Sequence, residues 1–386
     1  MTIKIASRAV DFRSFIVMDV LERANVLERA GKNIIHLEIG EPDFNTPQCI
    51  SEAGAKALKD GKTHYTHSLG IVELREAICD NYFDKYRVQI NPDQIIVTSG
   101  TSPAMLLIFS SLLENGDGVI VSNPYYPCYP NIINYVGGKC VFVNTNEDDG
   151  FQFKPNEVSR VVSENTRGIL INSPSNPTGN LLSPDRMKKI ADLGIFIISD
   201  EIYHGLVYKG KEHTILEYTD KAFVLNGFSK IYAMTGWRLG YIIAPSEFVR
   251  PIQKMQQNFF ISATSISQWA GVAALTKARQ DVENMKKIYN QRREYMIKRL
   301  KELGFGISVE PAGAFYILAN AKKLSNNSYN LAFQILENAG VGVAPGIDFG
   351  GNAEGYLRFS YANSIENITE GLNRIEAFLS KWKYPF

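Results

Sequence analysis

The chain has 386 residues, enough for about two domains of typical size. Hydrophobic residues make up 45% and charged residues 21%, ordinary globular values that exclude a long disordered tail. With 41 Lys and Arg against 40 Asp and Glu, the net charge of +1 offers no basic footprint for nucleic acid, and no run approaches the ~20 apolar residues of a membrane span.

Charges interrupt every apolar run in residues 1–31, which excludes the core of a signal peptide. Cys49, Cys79, Cys128 and Cys140 lie far apart without CxxC spacing, the pattern of reduced thiols in a cytoplasmic protein. There is no repeat, low-complexity tract or long linker between independent modules.

Taken in chain order, β-rich runs fall at 94–100, 119–124, 140–145, 167–174, 195–200, 223–228 and 239–245, with helical patterns between them. This alternation predicts βαβ units around a largely parallel sheet. One unit is clearly punctuated: Ser183 caps a helix, Pro184 fits its first turn, and Gly194 ends it before IFIIS re-enters the sheet. After about residue 285 the pattern changes to long helices at 330–340 and 364–383 around shorter strands at 315–320, 341–346 and 356–362. The expected organisation is an N-terminal segment 1–44 that joins a small domain at 285–386, with a large domain at 45–284.

Ligands of open α/β sheets bind beyond the carboxyl ends of the strands, so the polar residues there are the candidates. Asp200 follows IFIIS; Ser99, Gly100 and Thr101 follow QIIVT; Asn176 lies beyond ILINSPS; Lys230 lies beyond FVLNGFS. In TSGTSP, small residues precede Pro103 at an expected first helical position. Free backbone N–H groups there, with the Ser99 and Thr101 hydroxyls, would seat a phosphate, although a plain capped helix reads the same way.

The stretch NGFSKIYAMTGWRLG, residues 226–240, holds Lys230 and Arg238 with no acidic residue between them. Arg238 supplies a rigid donor fork suited to phosphate oxygens. Lys230 supplies an amine, Asp200 a carboxylate, and Tyr203 and Asn176 a phenol and an amide. A ligand with a phosphate, an aldehyde for lysine and a ring nitrogen for aspartate is pyridoxal 5'-phosphate.

The ordered runs GEPDF (40–44), THYTHSLGIVELREAI (63–78), NPYYPCYP (123–130), SPSNPTG (173–179), SDEIY (199–203), NGFSKIYAMTGWRLGY (226–241), GAFY (313–316) and YLRFSYA (356–362) carry a family likeness. Across nearly the whole chain it resembles the class I aminotransferases of fold type I, in their bacterial and archaeal aspartate-aminotransferase-like branch. The resemblance implies a large domain on a mostly parallel seven-stranded sheet and a smaller α/β domain. It implies that Lys230 is bonded to the cofactor aldehyde, that Asp200 pairs with the ring nitrogen, and that Tyr203 and Asn176 bond the ring's phenolic oxygen. Arg238, Gly100, Thr101 and Ser229 become phosphate contacts and Tyr126 the aromatic on the ring face. Tyr65 would reach the phosphate of a neighbouring subunit, which implies a homodimer with shared active sites. Arg358, helped by Asn176 and the backbone at Gly40, becomes the clamp on the substrate α-carboxylate.

Competing motifs fail. GKT at 61–63 lacks the glycine that a P-loop needs at position 56, where Lys56 stands. GVGVAPG has the wrong glycine intervals for a dinucleotide turn, and His64 and His67 have no nearby carboxylate or cysteine, so no metal is expected. Substrates are expected to be an amino acid and a 2-oxo acid: aspartate or a neutral amino acid such as alanine as donor, 2-oxoglutarate as acceptor. A C–S β-lyase of the cystathionine type is the second reading, since the same carbanion can expel a leaving group. The segment RSFIVMD is divided on the donor, Phe15 and Ile16 favouring apolar side chains and Arg13 acidic ones.

Overall fold

A computed structural model of the chain describes residues 4–381. Trp382 and Lys383, which the sequence pattern places in the last helix, lie outside the described residues, as do 1–3 and 384–386.

The strands are β1 (Ile35–His36), β2 (Ile95–Thr98), β3 (Gly118–Asn123), β4 (Lys139–Asn144), β5 (Thr166–Asn172), β6 (Phe196–Asp200), β7 (Ala222–Gly227), β8 (Gly240–Ile243), β9 (Tyr316–Asn320), β10 (Val341–Gly342), β11 (Ala344–Pro345) and β12 (Tyr356–Ser360). The seven runs expected to form the main sheet do so, each end within two residues of its expected place. Their order is β2-β8-β7-β6-β5-β3-β4, with β8 antiparallel to both neighbours and the other pairings parallel.

The sheet is covered on both faces, which is why its strands read as unbroken apolar runs. Alternate residues feed two separate cores. Val97, Ile120, Ile169, Ile171, Ile197 and Val224 point to one, while Ile96, Val121, Leu170, Ile198, Phe223 and Leu225 point to the other. Each fully buried Ile or Val contributes about 1.5–3 kcal/mol. An aspartate at Ile198 would place an unpaired charge in the second core and break that layer.

Ser183 Oγ accepts from the Arg186 N–H and Pro184 opens the helix Pro184–Ala191, as the punctuation indicates. The helix after β2 differs from expectation. It runs Thr101–Leu112, so Pro103 is its third residue rather than its first. Gly100, at φ +98°, turns the chain abruptly enough for Thr101 to start the helix, and a proline within the first turn forfeits an N–H that has no intrahelical partner anyway.

A second sheet has the order β11-β12-β9, all antiparallel, and β1 pairs in parallel with β10. The N-terminal segment is thus stitched to the C-terminal part of the chain. Residues 284 and 285 lie inside one continuous helix, Arg279–Glu302, whose Tyr289, Met296 and Leu300 pack into the core beneath the second sheet.

Candidate active site

Four strands of the main sheet, the neighbours β5, β6 and β7 together with β2 beyond the antiparallel β8, release their loops at one edge. β6 ends on Asp200, β5 on Asn172 four residues before Asn176, β7 on Gly227 three before Lys230, and β2 on Thr98 just before Ser99–Gly100–Thr101. Beyond these ends lies a cavity of about 730 Å³, part of it open to solvent. Of the residues expected from sequence, Gly40, Thr101, Tyr126, Asn176, Asp200, Tyr203, Lys230 and Arg358 line it.

Lys230 Nζ donates to the Gly40 carbonyl at 2.7 Å. Burial pushes its amine down to about 8, with Arg358 and Arg238 adding to the effect while Glu41 and Asp200 oppose it. A fraction of the side chain is therefore an uncharged nucleophile near neutral pH. Asp200, 4% exposed, is pushed up to about 6 by burial. Its carboxylate is held from both sides: the Tyr129 hydroxyl donates to Oδ2 at 2.7 Å and the Ile202 N–H to Oδ1 at 3.2 Å.

Arg358, in the middle strand of the small sheet, is 2% exposed. Its Nη1 donates to Asn176 Oδ1 at 3.0 Å and its Nη2 to the Glu38 carbonyl, while Nε has no partner among the described residues. The guanidinium lies 4.4 Å from the Tyr316 ring centre and 4.8 Å from that of Phe349, and it makes no ion pair among the described residues. A buried cation with no direct ion pair is costly unless a ligand anion completes it, and Asp348 acts on this one only at longer range. The Tyr203 hydroxyl meets that of Tyr316 at 3.0 Å, and burial holds the Tyr203 phenol well above its ordinary range, so it remains an O–H donor.

At the phosphate end the N-cap residue of the helix Thr101–Leu112 is Gly100, which has no side chain to cap it, so its first N–H groups lack an intrahelical partner. Gly100 is closely covered by Arg238: a Cβ built on Gly100 would stand 2.6 Å from Arg238 Nη2. Arg238 Nη1 bonds the Thr235 carbonyl at 3.0 Å, and the side chain makes no ion pair among the described residues.

Of the expected phosphate contacts only Thr101 lines the cavity itself; Ser99, Gly100, Ser229 and Arg238 do not. Tyr65 is 81% exposed and stands outside the cavity of its own chain. Phe15 lines the cavity and packs edge-on to Tyr126 with ring centres 6.0 Å apart, whereas Arg13 and Ile16 do not line it.

Three polar lining residues escaped the sequence reading. Asn172 donates through Nδ2 to the Asp200 carbonyl at 3.0 Å and accepts from the Asn176 N–H at 2.7 Å, bracing two of the candidates. Tyr129 and Tyr316 were within the quoted runs NPYYPCYP and GAFY, so the signal was present, but nothing local marked which tyrosine turns inward.

An amine, a carboxylate, a neutral phenol and an uncapped helix end under an unpaired arginine fit the aldehyde, ring nitrogen, phenolic oxygen and phosphate of pyridoxal 5'-phosphate. The fold and this donor set define a pyridoxal-phosphate enzyme of fold type I. The family model for aminotransferases of class I and II matches residues 32–375, and the chain belongs to that family. Among its relatives is the (5-formylfuran-3-yl)methyl phosphate transaminase of Methanocaldococcus jannaschii, 45% identical over 98% of this chain and 100% of its own length. The aspartate aminotransferase of Pyrococcus horikoshii is 40% identical over 97% of both chains. The solved aspartate aminotransferase of Thermus thermophilus with maleate superposes with a TM-score of 0.93 at 34% identity, covering 97% of this chain and all of that one. The protein is an aminotransferase whose cofactor is pyridoxal 5'-phosphate.

Proposed function

We propose that the enzyme moves an amino group from an L-amino acid to a 2-oxo acid in two half-reactions at this one cavity, the first product leaving before the second substrate enters. The observation that carries this reading is the pairing, across a single cavity, of a depressed lysine amine at Lys230 with a buried, unpaired guanidinium at Arg358.

In this reading Lys230 holds the cofactor aldehyde, Asp200 its ring nitrogen, Tyr203 and Asn176 its phenolic oxygen, and Tyr126 covers its face. Arg238, Gly100, Thr101, Ser99 and Ser229 serve the phosphate. When bound, the cofactor supplies an aldehyde that takes the amino group and a ring that accepts the electron pair left at Cα. Arg358 grips the α-carboxylate through its planar fork, with Asn176 and the Gly40 backbone alongside, and so fixes which Cα bond is presented for reaction. That bond is Cα–H. Lys230 Nζ, once released by the arriving amino group, takes that proton as general base. Asp200, held as a carboxylate, keeps the ring nitrogen protonated. Donors to assay first are aspartate and neutral amino acids such as alanine, with 2-oxoglutarate as acceptor.

The working unit in this reading is a homodimer in the cytoplasm, in which Tyr65 reaches the phosphate site of a second copy. Its loop is tied to the helix Ser265–Lys277 by Gln268 Nε2 to Thr66 Oγ1 at 2.9 Å, and the stretch before that helix exposes Phe259 and Ile261. Residues 1–44 with 285–386 form the small domain and 45–284 the large one.

The test is the visible absorption of protein loaded with pyridoxal phosphate. A yellow solution that bleaches with an L-amino acid and regains its colour with a 2-oxo acid is expected. Pyruvate and ammonia released from cysteine-like substrates without any oxo acid would point to β-elimination instead.

A further inference from the structure

We propose that the side-chain end of this cavity selects amino acids with bulky apolar side chains, aromatic ones above all, in preference to aspartate. This rests on the roles given above to Lys230, Asp200 and Arg358. Phe15, then Val17, Met18 and Leu21 from the helix Ile16–Arg29, supply one wall, and Ile39 and Tyr126 continue it. The only charged side chains among the described residues of the lining are Asp200, Lys230 and Arg358. The lysine and aspartate are committed to the cofactor and the arginine to the α-carboxylate, so this chain's own lining leaves no cation for a second carboxylate.

Arg13, the residue that could have served an acidic side chain, is turned elsewhere. Its backbone N–H donates to Asn131 Oδ1 at 3.2 Å and its carbonyl accepts from Asn131 Nδ2 at 3.3 Å, fastening this stretch to the helix Cys128–Tyr135. Its guanidinium interacts with Tyr125 rather than with the cavity. The apolar wall, by contrast, is fixed in place. Asp348 accepts from the Ile16 N–H through Oδ1 at 3.0 Å and from the Val17 N–H through Oδ2 at 3.1 Å, pinning the start of the helix that carries Val17, Met18 and Leu21.

An aspartate side chain placed against this wall would lose its hydration without gaining a partner from the wall, whereas a phenyl ring would exchange water for hydrocarbon. A single methylene in such a pocket already discriminates by roughly 10–200-fold. A ring against a carboxylate should therefore differ by about 100-fold or more. The same wall receives the side chain of the oxo acid in the return half-reaction, so phenylpyruvate should serve as acceptor better than 2-oxoglutarate, whose second carboxylate meets the same hydrocarbon.

The test uses the full-length, cofactor-loaded protein and needs no second substrate. Single-turnover bleaching is followed with L-phenylalanine and with L-aspartate, and dissociation constants for the unreactive acids 3-phenylpropanoate and succinate are measured by calorimetry. Phenylalanine should bleach about 100-fold more efficiently, and 3-phenylpropanoate should bind correspondingly tighter. Met18 is 44% exposed, so Met18→Arg should keep its unfolding midpoint while shifting the ratio towards aspartate by about tenfold. Equal or faster bleaching with aspartate, or tighter binding of succinate, would overturn the inference and leave transamination standing. Bleaching with no amino acid at all would remove the functional reading beneath it as well.

Discussion

Arg358 Nη1 donates to Asn176 Oδ1 at 3.0 Å, a bond that joins the middle strand of the small sheet to the loop after β5. The two residues are 182 positions apart in sequence, and the bond spans the two parts of the chain that enclose the cavity. Asn176→Ala would leave Nη1 without its partner and free the guanidinium to turn. A hydrogen bond to a charged group contributes about 1.5–3 kcal/mol, so kcat/KM for amino acids should fall roughly 10–100-fold while circular dichroism remains unchanged. A loss under about twofold would show that Asn176 does not orient the clamp.

The amine at Lys230 sets a pH dependence. Burial lowers it from 10.5 to about 8, so its reactive neutral form becomes abundant far earlier than in an ordinary lysine. Capture of pyridoxal phosphate by the cofactor-free protein, followed by stopped-flow absorbance, should accelerate with rising pH and level off above about 8. Between that value and 10.5 the unfolded chain holds more protons on this amine than the folded one, so this group's contribution to stability rises with pH across the same window. A capture rate still climbing at pH 10 would mean the amine is not depressed.

Gly100 has φ +98°, and any Cβ there meets Arg238 Nη2 at 2.6 Å. Gly100→Ala should cost about 1–3 kcal/mol in urea unfolding through backbone strain, and should weaken pyridoxal phosphate binding about tenfold or more by displacing the arginine. Wild-type affinity in a folded Gly100→Ala protein would remove Arg238 from the phosphate site.

Asp348 caps a helix from a distance of more than three hundred residues in sequence, through its bonds to the Ile16 and Val17 N–H groups. Removing a cap costs about 0.5–2 kcal/mol. Asp348→Ala should lose stability in that range and raise KM for apolar amino acids about fivefold or more by loosening the wall formed by Val17, Met18 and Leu21. An unchanged KM would mean that the helix start is held by packing alone.

The main sheet was legible because its strands are buried on both faces, so each appears as an apolar run that ends where the first functional polar residue begins, as IFIIS does at Asp200. Lys230 and Arg238 stood out because no acid lies between them, and among the described residues neither makes an ion pair. The residues that hold these groups were not legible, because long-range contacts define them. Tyr129 reaches Asp200 across 71 positions and Tyr316 reaches Tyr203 across 113, and neither tyrosine differs locally from its neighbours. Arg13 and Phe15, two residues apart, point to opposite substrates on paper. The pairing of the Arg13 backbone with Asn131 and the hold of Asp348 on the Ile16 and Val17 N–H groups fasten this stretch on either side of Phe15, which faces the cavity. The helix after β2 began two residues early because Gly100 turns more sharply than the proline signal conveys.

The central claim is that the amine at position 230 bonds the cofactor. Borohydride reduction of the yellow protein, followed by proteolysis and mass spectrometry, tests it most directly. The account predicts a pyridoxyl group on the peptide that contains Lys230, and none on any peptide of Lys230→Ala treated in the same way. A pyridoxyl group found on a different lysine of the wild-type protein, with the Lys230 peptide unmodified, would contradict it.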